Sequence, residues 1–177
     1  MASLNDPAKD PVTVDGASRQ LTTAIEGVRL RPATTHLDHR GTLCEIFDPA
    51  WEFDDDPLVY VYVATVRPGV VKGWVVHRIQ NDRLFVQSGR VEVVLFDARP
   101  ESPTQGTIAR HVLSDHGRGI LRIPAGVYHA VVNIGDTEAV FLNLPSRPYD
   151  HANPDKYRLP IDTPEIPHRF PAGFTGG

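Results

Sequence analysis

Sixteen prolines and fourteen glycines are spread through all 177 residues rather than gathered in one place. Proline removes a backbone donor and stops a helix, and glycine weakens the interior of any regular element. A chain interrupted this often is cut into short pieces. Those pieces are β-rich: Pro57 to Val66 (PLVYVYVATV), Val70 to His77, Arg83 to Gln87, Arg90 to Asp97 (RVEVVLFD), Thr107 to Leu113, Ile120 to Ile123, Val127 to Asn133 and Ala139 to Leu144. Each is rich in branched or aromatic residues and is bounded by turn formers. No segment carries a helical period, so the pattern predicts an all-β sandwich or barrel.

The ends read differently. Residues 1 to about 20 hold Pro, Asp, Lys and Ser with little apolar content, which predicts a mobile arm. Residues 21–177 then form a single domain. From about residue 145 the periodicity is lost, and this stretch is expected to wrap the barrel or cap its mouth. Trp51 to Asp56 is an acidic loop, and Thr35 to Phe47 alternates only weakly. A net charge of −4 gives no electrostatic reason to bind nucleic acid. One cysteine, Cys44, excludes an intramolecular disulfide framework and fits a reducing compartment. There is no apolar run near the roughly 20 residues of a membrane span, and the N-terminus lacks the apolar core of a secretory signal. The expected setting is the cytoplasm.

Two stretches carry the chemistry. Val66 to Gly89 (VRPGVVKGWVVHRIQNDRLFVQSG) contains a turn, a strand ending in His77, and a second strand closed by Ser88-Gly89. Gly119 to Asn133 (GILRIPAGVYHAVVN) supplies His129 after the corner Pro124-Ala125-Gly126. Strand alternation sets His129 toward the interior, as a site residue or as a satisfied core histidine. Two histidines from separate hairpins predict a barrel with a chemically equipped mouth.

The spacing Gly, four residues, Pro-x-Gly, two residues, His, three residues, Asn resembles the second signature of the cupin double-stranded β-helix, a jelly-roll barrel. The cupin first signature offers two histidines and a carboxylate as metal ligands; here Val75 stands at the first, His77 at the second, and Asp82 near the carboxylate. His77, Asp82 and His129 are therefore an alternative two-histidine, one-carboxylate metal site. A more specific likeness follows. Asp38-His39-Arg40-Gly41 with Glu45, Lys72-Gly73, Arg83, Asp97-Ala98-Arg99 with Ser102-Pro103-Thr104 and Gly106, and Pro124-Ala125-Gly126-Val127-Tyr128-His129 resemble, in order, the motifs of the dTDP-4-dehydrorhamnose 3,5-epimerase family.

That resemblance implies a metal-free enzyme without cofactor, which removes a proton beside a keto group and stabilises the enolate. It places Arg40 and Glu45 at the nucleotide end of a dTDP-sugar, and Lys72, Arg83 and His129 at the diphosphate or sugar. It also implies a homodimer in which N-terminal strands cross. Two departures fall on the chemistry: Val75 stands where the family has its base histidine, and Asn143 where it has its acid tyrosine. Asp162 corresponds to the aspartate that orients the base. His77, two residues from Val75 and about 7 Å along the same strand face, is expected to act as base, with Tyr128, Tyr149 or Tyr157 as acid and Asn143 among the substrate-binding groups. The leading expectation is an epimerase or ketoisomerase acting on a dTDP-keto-deoxysugar or related carbonyl compound. The alternatives are a ligand-binding barrel without turnover, a natural-product cyclase or double-bond isomerase, and a metal-dependent cupin.

Overall fold

The computed structural model describes residue 9, residues 12–16 and residues 24–177. Most of the expected N-terminal arm lies outside the described residues. Two antiparallel sheets face one another. The first has the order β1 (Arg29–Pro32), β9 (Gly119–Ile123), β6 (Asp82–Ser88), β11 (Ala139–Asn143), β4 (Tyr62–Val66). The second has the order β12 (Tyr157–Arg158), β5 (Val70–Val76), β10 (Val127–Asn133), β7 (Arg90–Asp97), β8 (Ile108–Ser114), with β13 (Thr175–Gly176) parallel to β5. A detached hairpin, β2 (Thr35–Asp38) with β3 (Gly41–Cys44), pairs with neither sheet. This is the expected jelly roll, and no α-helix occurs among the described residues.

Alternation decides which side chains meet. Leu84 and Val86 of β6 join Val91, Val93 and Leu95 of β7, Leu121 of β9 and Phe141 of β11 in the core between the sheets. A second apolar layer covers the outside of the β5–β10–β7 sheet. There Trp74, Val94, Ala130 and Val132 are buried under Leu159, Ile166, Phe170 and Phe174 of the C-terminal wrap. The wrap is fixed at its start by Asp155, whose carboxylate accepts hydrogen bonds from the amides of Arg78, Ile79 and Gln80 at 2.8–3.0 Å.

The strand expected over Pro57 to Val66 begins only at Tyr62. Its alternation extends back to Val59, but β4 is the sheet edge and β11, its one partner, is five residues long. Two glycines are required by space or backbone. A Cβ on Gly73 would lie 2.5 Å from the Cβ of Ala130, so only glycine lets β5 approach β10. Gly126 holds φ +82 at the corner before His129.

The motif Asp97…Gly106 has a structural task. Asp97 is fully buried, and its carboxylate receives the Arg99 guanidinium at 2.8 Å and the hydroxyls of Ser102 and Thr104, each at 2.6 Å. Burial works against this carboxyl's ionisation, but these donors hold it far below the usual carboxylate range.

Candidate active site

A cavity of about 340 Å³ opens between the two sheets. Its floor is a cluster of three buried polar side chains: His77 just past the end of β5, Asp82 at the start of β6 and His129 on β10. Nε2 of His77 lies 3.3 Å from Asp82 Oδ2, and Nε2 of His129 lies 3.7 Å from the same oxygen. The two imidazoles stack with centroids 5.7 Å apart. Lys72, Lys156 and Arg158 line the walls, together with Val75, Tyr62 and Asn143. A register irregularity between β10 and β5 around His129 and Val131 lets Lys72, Val75 and His77 all face this space.

Hydrogen bonds orient the cluster. Nδ1 of His77 bonds to the backbone carbonyl of Asp155, which makes Nδ1 the N–H and leaves Nε2 as the lone pair in the neutral ring. A carboxylate lies 3.3 Å from Nε2, so this nitrogen takes up a proton readily. Burial alone would depress the His77 pKa, but the hydrogen bond and charge of Asp82, with the Asp155 carbonyl, raise it above the ordinary value. His129 is pushed the other way, to about 4, because burial outweighs the attraction of Asp82 and the His77 charge opposes a second proton. Asp82 is held ionised: burial resists, but both histidines and the Asn143 amide, which donates to Oδ2 at 3.0 Å, lower its pKa. The Gln80 amide donates to Oδ1 at 2.9 Å. Lys156 is pulled down by burial and by Arg158, with Lys72 adding to the repulsion. An anion bound among these three cations relieves that crowding.

His77, His129, Lys72 and Asn143 therefore come together as the sequence implied. The donor atoms of His77, Asp82 and His129 lie within 4.8 Å of one another, so the metal-type donor set is also assembled. Five other candidates are placed elsewhere. Arg83 points to the opposite face of β6, because alternation turns Asp82 inward and its neighbour outward. There it is 0% exposed, pairs with Asp54 at 3.6 Å and donates to the Pro57 carbonyl. Tyr128 is turned outward beside the inward His129, and packs against the Trp74 layer. Asp162 is exposed on the wrap; the aspartates that touch His77 are Asp82, through its carboxylate, and Asp155, through its backbone. Arg40 and Glu45 are exposed on the detached hairpin, where Arg40 pairs with its own neighbour Asp38 at 2.5 Å.

Of the other tyrosines, Tyr157 is exposed and carries the Arg78 guanidinium over its ring at 4.0 Å. Tyr149 lines an adjoining pocket of about 350 Å³ that also contains Tyr60, Tyr62 and His77. Sequence reasoning missed Tyr62, Asp155, Lys156 and Arg158. Asp82 entered the sequence reading only as a candidate metal ligand, and no local signal marked the residues of the wrap.

The jelly roll and its relationships to known proteins mark an epimerase-type enzyme. The chain belongs to the dTDP-4-dehydrorhamnose 3,5-epimerase family, whose pattern residues 22–167 match. It is 36% identical over 140 residues to the probable low-salt glycan biosynthesis epimerase Agl13 of Haloferax volcanii, covering 78% of this chain and 89% of that protein. It is 30% identical over 146 residues to the spore coat polysaccharide biosynthesis protein SpsL of Bacillus subtilis, covering 80% and 93%. Among solved structures, a dTDP sugar isomerase from Desulfovibrio desulfuricans superposes with a TM-score of 0.76 at 28% identity, covering 81% of this chain and 90% of that one. The 3'-monoepimerase ChmJ of Streptomyces bikiniensis, solved with dTDP-quinovose, shares the fold at 24% identity with a TM-score of 0.76, covering 87% and 80%. The isomerase-type enzyme expected from the sequence is what these relationships support.

Proposed function

We propose that this protein epimerises or isomerises a dTDP-linked keto-deoxysugar, using His77 as the base. Nε2 of His77 removes the proton beside the carbonyl, and the Asp82 carboxylate stabilises the imidazolium that forms. His129 lies beside the reacting atoms and donates to the developing enolate oxygen. Lys72, Lys156 and Arg158 bind the diphosphate, the charge-dense part of such a substrate. The observation that carries the reading is the His77 Nε2 to Asp82 Oδ2 pair at 3.3 Å, buried on the cavity floor. It supplies a proton acceptor on the same strand as Val75, which cannot take a proton.

A homodimer fits the same reading. Val63 on the open edge of β4, and Leu37 and Leu43 on the detached hairpin, are 60–79% exposed. In a dimer with crossed N-terminal strands, Arg40 and Glu45 reach the nucleotide end of the partner's substrate. No helix among the described residues is long and apolar enough to cross a membrane, and a nucleotide-sugar substrate suits the cytoplasm.

The test is incubation with dTDP-4-keto-6-deoxyglucose in D₂O, followed by NMR and mass. Deuterium should enter at a carbon beside the carbonyl, and His77→Ala should abolish its entry. Turnover that survives His77→Ala refutes the assignment of the base.

A further inference from the structure

Removing a proton is half of an epimerisation. A base that returns the proton to the face it came from regenerates the starting sugar, so inversion needs a donor on the other side of the enolate. The family's tyrosine for this step is Asn143 here, and the three tyrosines suggested by the sequence lie outside the cavity that holds His77, Asp82 and His129. A fourth lies inside it. Tyr62 sits on β4 directly across from Asn143 in the β11–β4 register. Its hydroxyl oxygen accepts a hydrogen bond from Asn143 Nδ2 at 2.7 Å. The other hydrogen of that amide goes to Asp82 Oδ2 at 3.0 Å.

We propose that Tyr62 is the proton donor of the reaction, placed by Asn143 from the neighbouring strand. This rests on the function proposed above. Three observations carry it. His77 and Tyr62 enter the cavity from different sheets, β5 and β4, so they flank a substrate lying between the sheets. The Asn143 amide donates to the phenol oxygen, so it occupies a lone pair and leaves the O–H hydrogen free. Among the described residues nothing accepts that hydrogen, which is left for the substrate. The same amide stabilises the phenolate once the proton has gone, so an asparagine at the family's tyrosine position becomes the support for a tyrosine one strand away. Burial, reinforced by the Asp82 charge, raises the Tyr62 pKa to about 12 and keeps the proton in place until an enolate forms.

The step balances without a further reactant. The C–H bond breaks as its proton passes to His77 Nε2, and the electron pair forms the enolate. The enolate carbon then takes the phenolic proton, and the carbonyl re-forms. Phenolate and imidazolium exchange with water to restore the enzyme.

Tyr62→Phe tests this with two readouts on dTDP-4-keto-6-deoxyglucose in D₂O: solvent deuterium in recovered starting sugar, and formation of epimer. The variant should retain deuterium exchange, which needs only His77, while epimer formation falls by about 10²–10⁴-fold, the range for a lost general acid. Epimer formation at the wild-type rate overturns the proposal. So does a parallel loss of exchange and epimer, which assigns Tyr62 to substrate binding. If wild-type protein shows neither exchange nor epimer, the function proposed above fails and takes this inference with it. If Tyr62→Phe does not fold, a fluorinated tyrosine at position 62 keeps the shape and acidifies the phenol. The basic limb of epimer formation should then move to lower pH, and an unmoved limb overturns the proposal.

Discussion

Asp82→Asn is the sharpest perturbation of the candidate site, because one carboxylate serves both histidines and leaves the packing unchanged when replaced by its amide. In the native protein Asp82 is 2% exposed and Oδ2 lies 3.3 Å from His77 Nε2. At that separation and an effective dielectric of about 20, carboxylate and imidazolium attract by about 5 kcal/mol. Desolvation of the buried pair offsets roughly half. About 2–3 kcal/mol remains as the carboxylate's net support of the imidazolium. With a Brønsted slope of about one half, lost basicity costs about tenfold in proton abstraction, and loss of the ring's orientation brings the total to about 10- to 100-fold.

The sign of the pH effect follows from the same pair. Abstraction needs neutral His77, so activity fails as pH falls through its pKa. Asp82 raises that pKa, and burial without Asp82 lowers it. In Asp82→Asn the acidic limb of the profile therefore moves to lower pH while the plateau drops. The assay is the rate of deuterium incorporation against pH for both proteins. An unchanged plateau with an unmoved limb refutes the argument that Asp82 sets the base.

Other outcomes follow from the same structure. Val75→His, which places an imidazole in the cavity across from His129 in the β10–β5 register, should increase deuterium exchange tenfold or more, measured in the same NMR assay. Asp97→Asn leaves its bound hydroxyls and guanidinium without a charged acceptor, and should cost about 2–4 kcal/mol, seen as a melting temperature lowered by several degrees. The folded pKa of Asp97 is depressed, so its contribution is complete above the unfolded value near 3.9 and fades as pH falls below it. The difference in melting temperature between wild type and Asp97→Asn should therefore shrink between pH 5 and pH 3. Gly73→Ala forces a Cβ to 2.5 Å from that of Ala130 and should destabilise by about 2 kcal/mol or more, measured by urea unfolding. Treatment with a strong chelator should leave turnover unchanged; loss of activity restored by a transition metal would replace the proton-transfer reading with a metal-centred one at the same three residues.

Much of the fold was legible because its signals are local. Proline and glycine mark the turns, period-two alternation marks the strands, and the corner Pro124-Ala125-Gly126 sets His129 inward whatever lies across from it. His77 was likewise evident from its place two residues after Val75. The roles of residues near a strand end were not, because one step in register exchanges the two faces. Arg83 and Asp82 differ by such a step, and so do Tyr128 and His129; the sequence offered both members of each pair as site residues, and the structure turns Arg83 and Tyr128 away from the cavity.

The contributions of the C-terminal wrap were illegible for another reason. Asp155, Lys156 and Arg158 act on His77 and the cavity from more than seventy residues away, through a segment without periodicity. Its course is fixed by burial of Ile166 and Phe170 against the outer face of a finished sheet. Tyr62 reaches the site only through the pairing of β4 with β11. The sequence by itself determined the β architecture, the inward histidines and the loss of two expected groups at Val75 and Asn143. Which carboxylate holds the base, which cations line the cavity and which tyrosine stands beside Asn143 were decided by tertiary structure, because each depends on strands that meet only when the sheets close.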